Sequence, residues 1–294
     1  MIIVPGKSAA VIGPSGTGKS HLAASAVRHH GSGIIMTIPG ADEMPSYQEF
    51  FRDAAQPVWG DNDEVTIPGD ARVIIAPFDD PDFAPSLGVE GLKGAIAQKR
   101  MVFFLRAVRQ IVQKDIDEGK PPRWGVLVQD TFSAVSVLAV NATLRELNLL
   151  APPPALSPEG SKYYGKLSTR MNDVVRASRV LKGLGMDWVT TSHVSMKDVS
   201  DAAKPGGATV ASKEQMVPLM SGAFRDQFMG FFDITLHAEV TAKRTYKVRC
   251  DSDARRQSRA RGAGVPLSKD GYLANDWPTI MKAYSSALNG VTLE

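Results

Sequence analysis

Gly13-Pro14-Ser15-Gly16-Thr17-Gly18-Lys19-Ser20 is a complete G-x-x-x-x-G-K-[ST] run, and its reading decides the fold. Glycines let the backbone curl until successive N–H groups point at one spot, the arrangement a phosphate needs. An apolar stretch, Ala9 to Ile12, precedes the run, and a helix-forming stretch, His21 to His29, follows it. A strand that ends in a glycine turn and opens a helix places about half a positive charge at the turn. Lys19 is expected to reach the β- and γ-phosphates of a nucleotide, and the Ser20 hydroxyl to ligate Mg²⁺. The expected nucleotide cradle is therefore Gly13, Pro14, Ser15, Gly16, Thr17, Gly18, Lys19, Ser20 and His21.

Beyond the run, short apolar segments alternate with helical ones. Gly33 to Ile38 and Ala71 to Ala76 read as the second and third strands, broken at Pro39-Gly40 and at Pro77. From about Gly91 to Glu118, Leu92, Ile96, Phe103, Ala107, Val108 and Ile111 recur near helical spacing. Gly119-Lys120-Pro121-Pro122 stops that helix. Trp124 to Val128 reads as a strand ending in Gln129-Asp130, and the proline-bearing stretch Leu149 to Ser161 as loose chain. Tyr164 to Gly183 reads as a helix, and Met186 to Thr191 as a fifth strand ending at Ser192-His193. Asp198 to Gln215, with Lys204-Pro205-Gly206-Gly207, reads as a mobile loop. Asp233 to Val240 and Thr245 to Cys250 read as a hairpin, and Asp276 to Leu288 as a terminal helix.

This alternation predicts an α/β fold, a mostly parallel sheet flanked by helices, with a C-terminal β-hairpin. Residues 1–264, hairpin 231–250 included, are expected to form the core, and residues 265–294 a tail with a short helix. Ligands of such sheets sit at the carboxyl ends of the strands. Gly13, Asp130 and His193 all fall there. An acid at the end of an apolar strand is the usual second metal-holding group of a P-loop site. Asp130 has that position, with Thr131 placed to support it. His193, at the end of the fifth strand, is placed to touch a γ-phosphate and report its loss.

Composition narrows the classes further. The chain has 294 residues, 43% of them hydrophobic, a formal net charge of +3 and a pI of about 8.9. Mild basicity permits an anionic partner without requiring one. The single cysteine, Cys250, excludes an internal disulfide and fits a reducing cytoplasm. No apolar window approaches the roughly 20 residues of a membrane span. The N-terminus lacks the basic and apolar regions of a signal peptide. No N-K-x-D guanine-reading motif occurs, which favours ATP over GTP.

Taken in chain order, these segments resemble the phage-encoded RecA-like AAA ATPases, the phage nucleotide-binding proteins that include the Sak-type recombination ATPases. The resemblance spans roughly residues 5–262. It rests on Gly13 to Ser20, the Val126-to-Asp130 strand, Tyr163-Tyr164-Gly165 and Thr191-Ser192-His193. Pro218 to Gly222 and Phe232-Asp233 at the opening of the hairpin complete it. It implies an ATP hydrolase that works with Mg²⁺ as a homo-oligomer on single-stranded DNA, in the cytoplasm of a host. It places a catalytic Glu just after the second strand, which favours Glu43 over Asp42, Asp79 and Asp80. The segment Thr37-Ile38-Pro39-Gly40-Ala41-Asp42-Glu43 departs from the family's strand-Asp-x-Glu form.

The resemblance also implies that two loops line the DNA path, here Leu149 to Ser161 and Ser195 to Met216. The second carries Lys197, Lys204 and Lys213. The basic stretch Lys243 to Arg261 adds Arg255 as a DNA contact, and Arg259 and Arg261 as candidates to reach a neighbouring subunit's nucleotide. Two other classes compete. A nucleotide-dependent assembly or loader protein with weak hydrolysis would need the same cradle and no catalytic Glu. A small-molecule kinase would need an arginine-rich lid, whereas these arginines read as a hairpin edge.

Overall fold

The computed structural model describes residues 2–38, 40–60, 64–78, 96–198, 214–220, 224–253 and 256–293, with backbone alone at 40–44, 96, 197–198 and 214. In chain order, β1 (Ser8–Ile12), α1 (Lys19–His30), β2 (Gly33–Thr37), α2 (Gly40–Phe50), β3 (Val58–Trp59), β4 (Val65–Thr66) and β5 (Val73–Pro77) come first. Next are α3 (Ile96–Asp117), β6 (Val126–Asp130), α4 (Phe132–Glu146), α5 (Pro158–Gly183) and β7 (Asp187–Ser192). Then follow β8 (Val194–Asp198), β9 (Glu214–Pro218), α6 (Phe224–Phe228), β10 (Ile234–Val240), β11 (Tyr246–Arg249), β12 (Arg259–Ala260), β13 (Tyr272–Ala274) and α7 (Trp277–Leu288).

The main sheet runs β13-β11-β10-β1-β7-β6-β2-β5, with β12 on β10. From β10 to β5 all neighbours are parallel. The C-terminal strands β11, β12 and β13 join antiparallel. The chain is thus a mixed α/β fold with a mainly parallel sheet and helices on both faces.

Alternation along the strands assigns each side chain to a face. Ala9, Val11, Ile35, Val126, Val128 and Val189 pack with Leu22 of α1, Tyr47 of α2 and Trp277 of α7. Ala10, Ile34, Met36, Leu127 and Trp188 pack with Phe104 of α3, Phe132 of α4 and Val174 of α5. Asp130 and Thr191, two residues beyond Val128 and Val189, therefore face α1 and α2. Gln129 faces the other layer, where it accepts from Trp188 Nε1 at 2.9 Å and donates to Ser178 Oγ at 3.0 Å. Polar satisfaction of that kind is what permits a fully buried amide.

Several elements differ from the sequence expectation. The stretch Leu149 to Ser161 is not loose throughout, because α5 begins at Pro158. Ser157 caps it, accepting from Gly160 N at 2.9 Å, and proline suits the first turn. Of the expected loop Asp198 to Gln215, residues 199–213 lie outside the described residues, while its ends belong to β8 and β9, which pair from Val194↔Pro218 to Asp198↔Glu214. Helices α2 and α4 went unread. Pro39-Gly40 and Pro45 masked α2, and α4 is apolar nearly all round, FSAVSVLAV, so it lacks an amphipathic stripe. Residues 265–294 supply β13 to the main sheet, and α7 lies on α1. Trp277 N donates to Ser25 Oγ at 2.8 Å, and Asn275 Nδ2 to Gly18 O at 2.9 Å.

Candidate functional site

The strand order puts β7 between β1 and β6, so three strand ends meet at one edge. The glycine run leaves β1, Asp130 ends β6, and His193 follows β7. Gly13 N donates to Ser192 O at 3.1 Å and ties the first of these to the third. Gly16 and Gly18 have φ of 74° and 80°, the left-handed region that favours glycine. A Cβ on Gly18 would also come within 2.7 Å of Asn275 Nδ2.

Lys19 is buried, and its ammonium donates to Gly13 O at 2.9 Å and Pro14 O at 2.7 Å. The loop is thereby closed on its own carbonyls, with Thr17 Oγ1 donating to Pro14 O at 2.8 Å. Lys19, Ser20, Asp130 and His193 line one cavity of about 310 Å³, together with His21, Thr131 and Tyr246. The N-termini of two helices open on it. One is α1, and the other is α4, whose first turn is capped by Thr131 Oγ1 accepting from Ala134 N. Helix N-termini favour anions.

Asp130 is fully buried. Its Oδ2 accepts from the Tyr47 hydroxyl at 2.7 Å, and its Oδ1 accepts from the Thr191 hydroxyl. Thr37, level with Asp130 on β2, is fully buried, and its hydroxyl has no hydrogen-bond partner among the described residues. A carboxylate with lone pairs to spare, an orphan hydroxyl beside it and Ser20 across the cavity fit Mg²⁺. That ion takes one or two carboxylates and fills its remaining positions with phosphate and water oxygens.

His193 is held by its backbone, whose N–H donates to Ser133 Oγ at 2.9 Å. Burial pushes its imidazole below the usual 6.5, and the Lys19 ammonium adds to this against the opposing Asp130 carboxylate. His193 is accordingly neutral at pH 7, free of the cost of burying a charge.

The likeness to known proteins is structural and distant. No family model matches the chain, and no curated protein does. Among solved structures, the flagellar accessory protein FlaH from Methanocaldococcus jannaschii aligns at a TM-score of 0.37 and 11% identity, over 84% of this chain and 77% of that one. The sheet order and the cavity described above stand on this chain's own geometry.

The remaining expected residues scatter. His21 is the exception, for it lines the cavity and edges onto Phe50, ring centroids 5.7 Å apart. Glu43 falls in α2, four residues before Tyr47, and its side chain lies outside the described residues. Asp79, Asp80, Lys204, Lys213 and Arg255 also lie outside them, as does the side chain of Lys197 in β8. Arg259 pairs with Thr235, and Arg261 follows toward the amino ends of the parallel strands, away from the chain's own glycine run. Arg261 Nη2 donates to Gly230 O at 2.6 Å.

Within the basic stretch Lys243 to Arg261, two arginines are held in ion pairs with neighbouring acids. Arg249 pairs with Glu239 at 3.3 Å and Asp251 at 3.2 Å, and Arg256 with Glu239 at 3.0 Å and Asp253 at 2.8 Å. Burial pushes the Cys250 thiol up to about 11, so it stays protonated.

Sequence reasoning missed Tyr47, Thr37, Thr191, Asn275 and Tyr246. Thr191 and Thr37 were within reach, since strand alternation places both on the face of Asp130. Tyr47 had no signal until α2 was known.

Proposed function

We propose that this chain is a RecA-like ATPase that binds and hydrolyses Mg-ATP on the cavity between α1, Asp130 and His193. It would act as a homo-oligomer on single-stranded DNA, in phage-type recombination or replication. One observation carries the nucleotide reading: Lys19, Ser20, Asp130 and His193, drawn from three separate strand ends, line one cavity.

In this reading the N–H groups of the glycine run bind the phosphates. Lys19 exchanges its loop carbonyls for phosphate oxygens. Ser20 and Asp130 would hold Mg²⁺, which when bound would supply positive charge against the β- and γ-phosphates. Neutral His193 donates or accepts one hydrogen bond at the terminal phosphate. Tyr246, about half exposed beside Gly18, offers the base a stacking face. Glu43 is the candidate to orient the attacking water.

The DNA reading is supported by the resemblance and by the β8–β9 hairpin. That hairpin grows directly from His193, and in sequence the lysine-bearing segment falls between its two strands. Movement of His193 on loss of a phosphate would reach it without an intermediary. Arg259 and Arg261, the latter toward the amino ends of the parallel strands, are candidates for a neighbour's nucleotide.

The test is ATP hydrolysis by the purified protein with Mg²⁺, with and without single-stranded DNA, at low and moderate salt. A rate that rises with DNA and loses that rise with salt supports the proposal, because phosphate contacts release counterions. A flat, low rate with tight ATP binding favours the assembly or loader reading. Absence of ATP binding overturns both.

A further inference from the structure

We propose that Tyr47 is a positioning residue for the metal-holding acid: its hydroxyl, with that of Thr191, fixes Asp130 so that its remaining lone pairs face a hydrated Mg²⁺. This rests on the reading of the cavity as an Mg-ATP site.

Thr37, Asp130 and Thr191 stand on the adjacent strands β2, β6 and β7, facing the same helical layer. Tyr47 reaches them from α2, is itself fully buried, and donates to Asp130 Oδ2 at 2.7 Å. Thr191 donates to the other oxygen. Each carboxylate oxygen has two lone pairs, so one on each remains. The terminal torsion of an aspartate is broad and nearly two-fold, so the carboxylate plane needs outside support. Two hydroxyls from different elements, one on each oxygen, supply it. The hydroxyl of Thr37, unpartnered among the described residues, is a further polar group turned to the same side.

Partners that orient a metal-binding carboxylate change metal affinity by about 10–100-fold when lost. Tyr47 also belongs to the helix that contains Glu43, so the acid that holds metal and the helix of the candidate catalytic Glu share one hydrogen bond.

The experiment uses a fluorescent ATP analogue, titrated against the full chain at a series of Mg²⁺ concentrations and in EDTA. For Tyr47→Phe, the half-saturating Mg²⁺ should rise about tenfold, with the affinity in EDTA and the melting curve close to wild type. Thr191→Val should shift Mg²⁺ dependence in the same direction. Equal Mg²⁺ dependence in Tyr47→Phe and wild type overturns the positioning role while leaving the nucleotide site intact. So does a loss of affinity that is the same with Mg²⁺ and in EDTA, the mark of a merely structural tyrosine. A wild type whose binding responds neither to Mg²⁺ nor to Lys19→Ala overturns the cavity reading and the role of Tyr47 together.

Discussion

Lys19 is buried, and its ammonium donates to two carbonyls of its own loop. Replacing those carbonyls by phosphate oxygens converts neutral acceptors into charged ones, and such hydrogen bonds are about twice as strong. Lys19→Ala should therefore weaken ATP binding by about 100-fold, read by calorimetry, while the unfolding transition stays cooperative. Unchanged affinity would remove the glycine run from the nucleotide site. At this scale the residues legible in the sequence were those in contiguous motifs or at the end of an apolar run. Gly13 to Ser20 announce themselves by spacing, and Asp130 and His193 by following β6 and β7. Tyr47, Asn275 and Tyr246 meet the site only through packing between elements distant in the chain, so no local pattern could point to them.

Among the elements, α7 has a role its position in the chain hides. It lies on α1, its N-cap Asp276 accepts from Thr279 N at 3.0 Å, and Trp277 at its start is fully buried. Trp277 N bonds to Ser25 of α1, and its ring N–H to Asp187 Oδ2 at 3.3 Å. Trp277→Ala should cost about 4 kcal/mol of stability, measured by chemical denaturation. ATP binding should weaken with it, because the helix that presents Lys19 loses its support. If stability falls and ATP affinity of the folded fraction does not, α7 braces the core alone. The parallel strands were legible because they are short apolar runs buried on both faces. Helix α4 was not, because burial on nearly every side erases the periodicity that marks a surface helix. The start of α5 was written in Ser157-Pro158, a cap followed by a first-turn proline, and the neighbouring prolines obscured it.

For the molecule as a whole, stability should respond to mild acid. Burial lowers the imidazoles of His193 and of His237, the latter on β10 beside the glycine run. As pH falls through about 6.5, the unfolded chain takes up these protons before the folded one does. Stability present above that pH is then lost. The carboxylates of Asp115, Glu146 and Asp233, held below 3.8, 4.5 and 3.8, add their own loss only at lower pH. For Asp233, the Lys182 ammonium and the Ser8 donors outweigh burial, which acts the other way. Melting temperature should thus drop between about pH 7 and pH 5, and His237→Asn should flatten that drop. An unaltered slope in the variant would show that His237 is not what the acid titrates. The hydrogen bond from Asn275 to Gly18 O spans 257 positions of the chain, and that from Trp277 to Ser25 spans 252. A growing polypeptide makes the glycine run long before it makes the brace for that run. On the ribosome the run must wait, unbraced, until Asn275 and Trp277 have been synthesised and have folded back onto it.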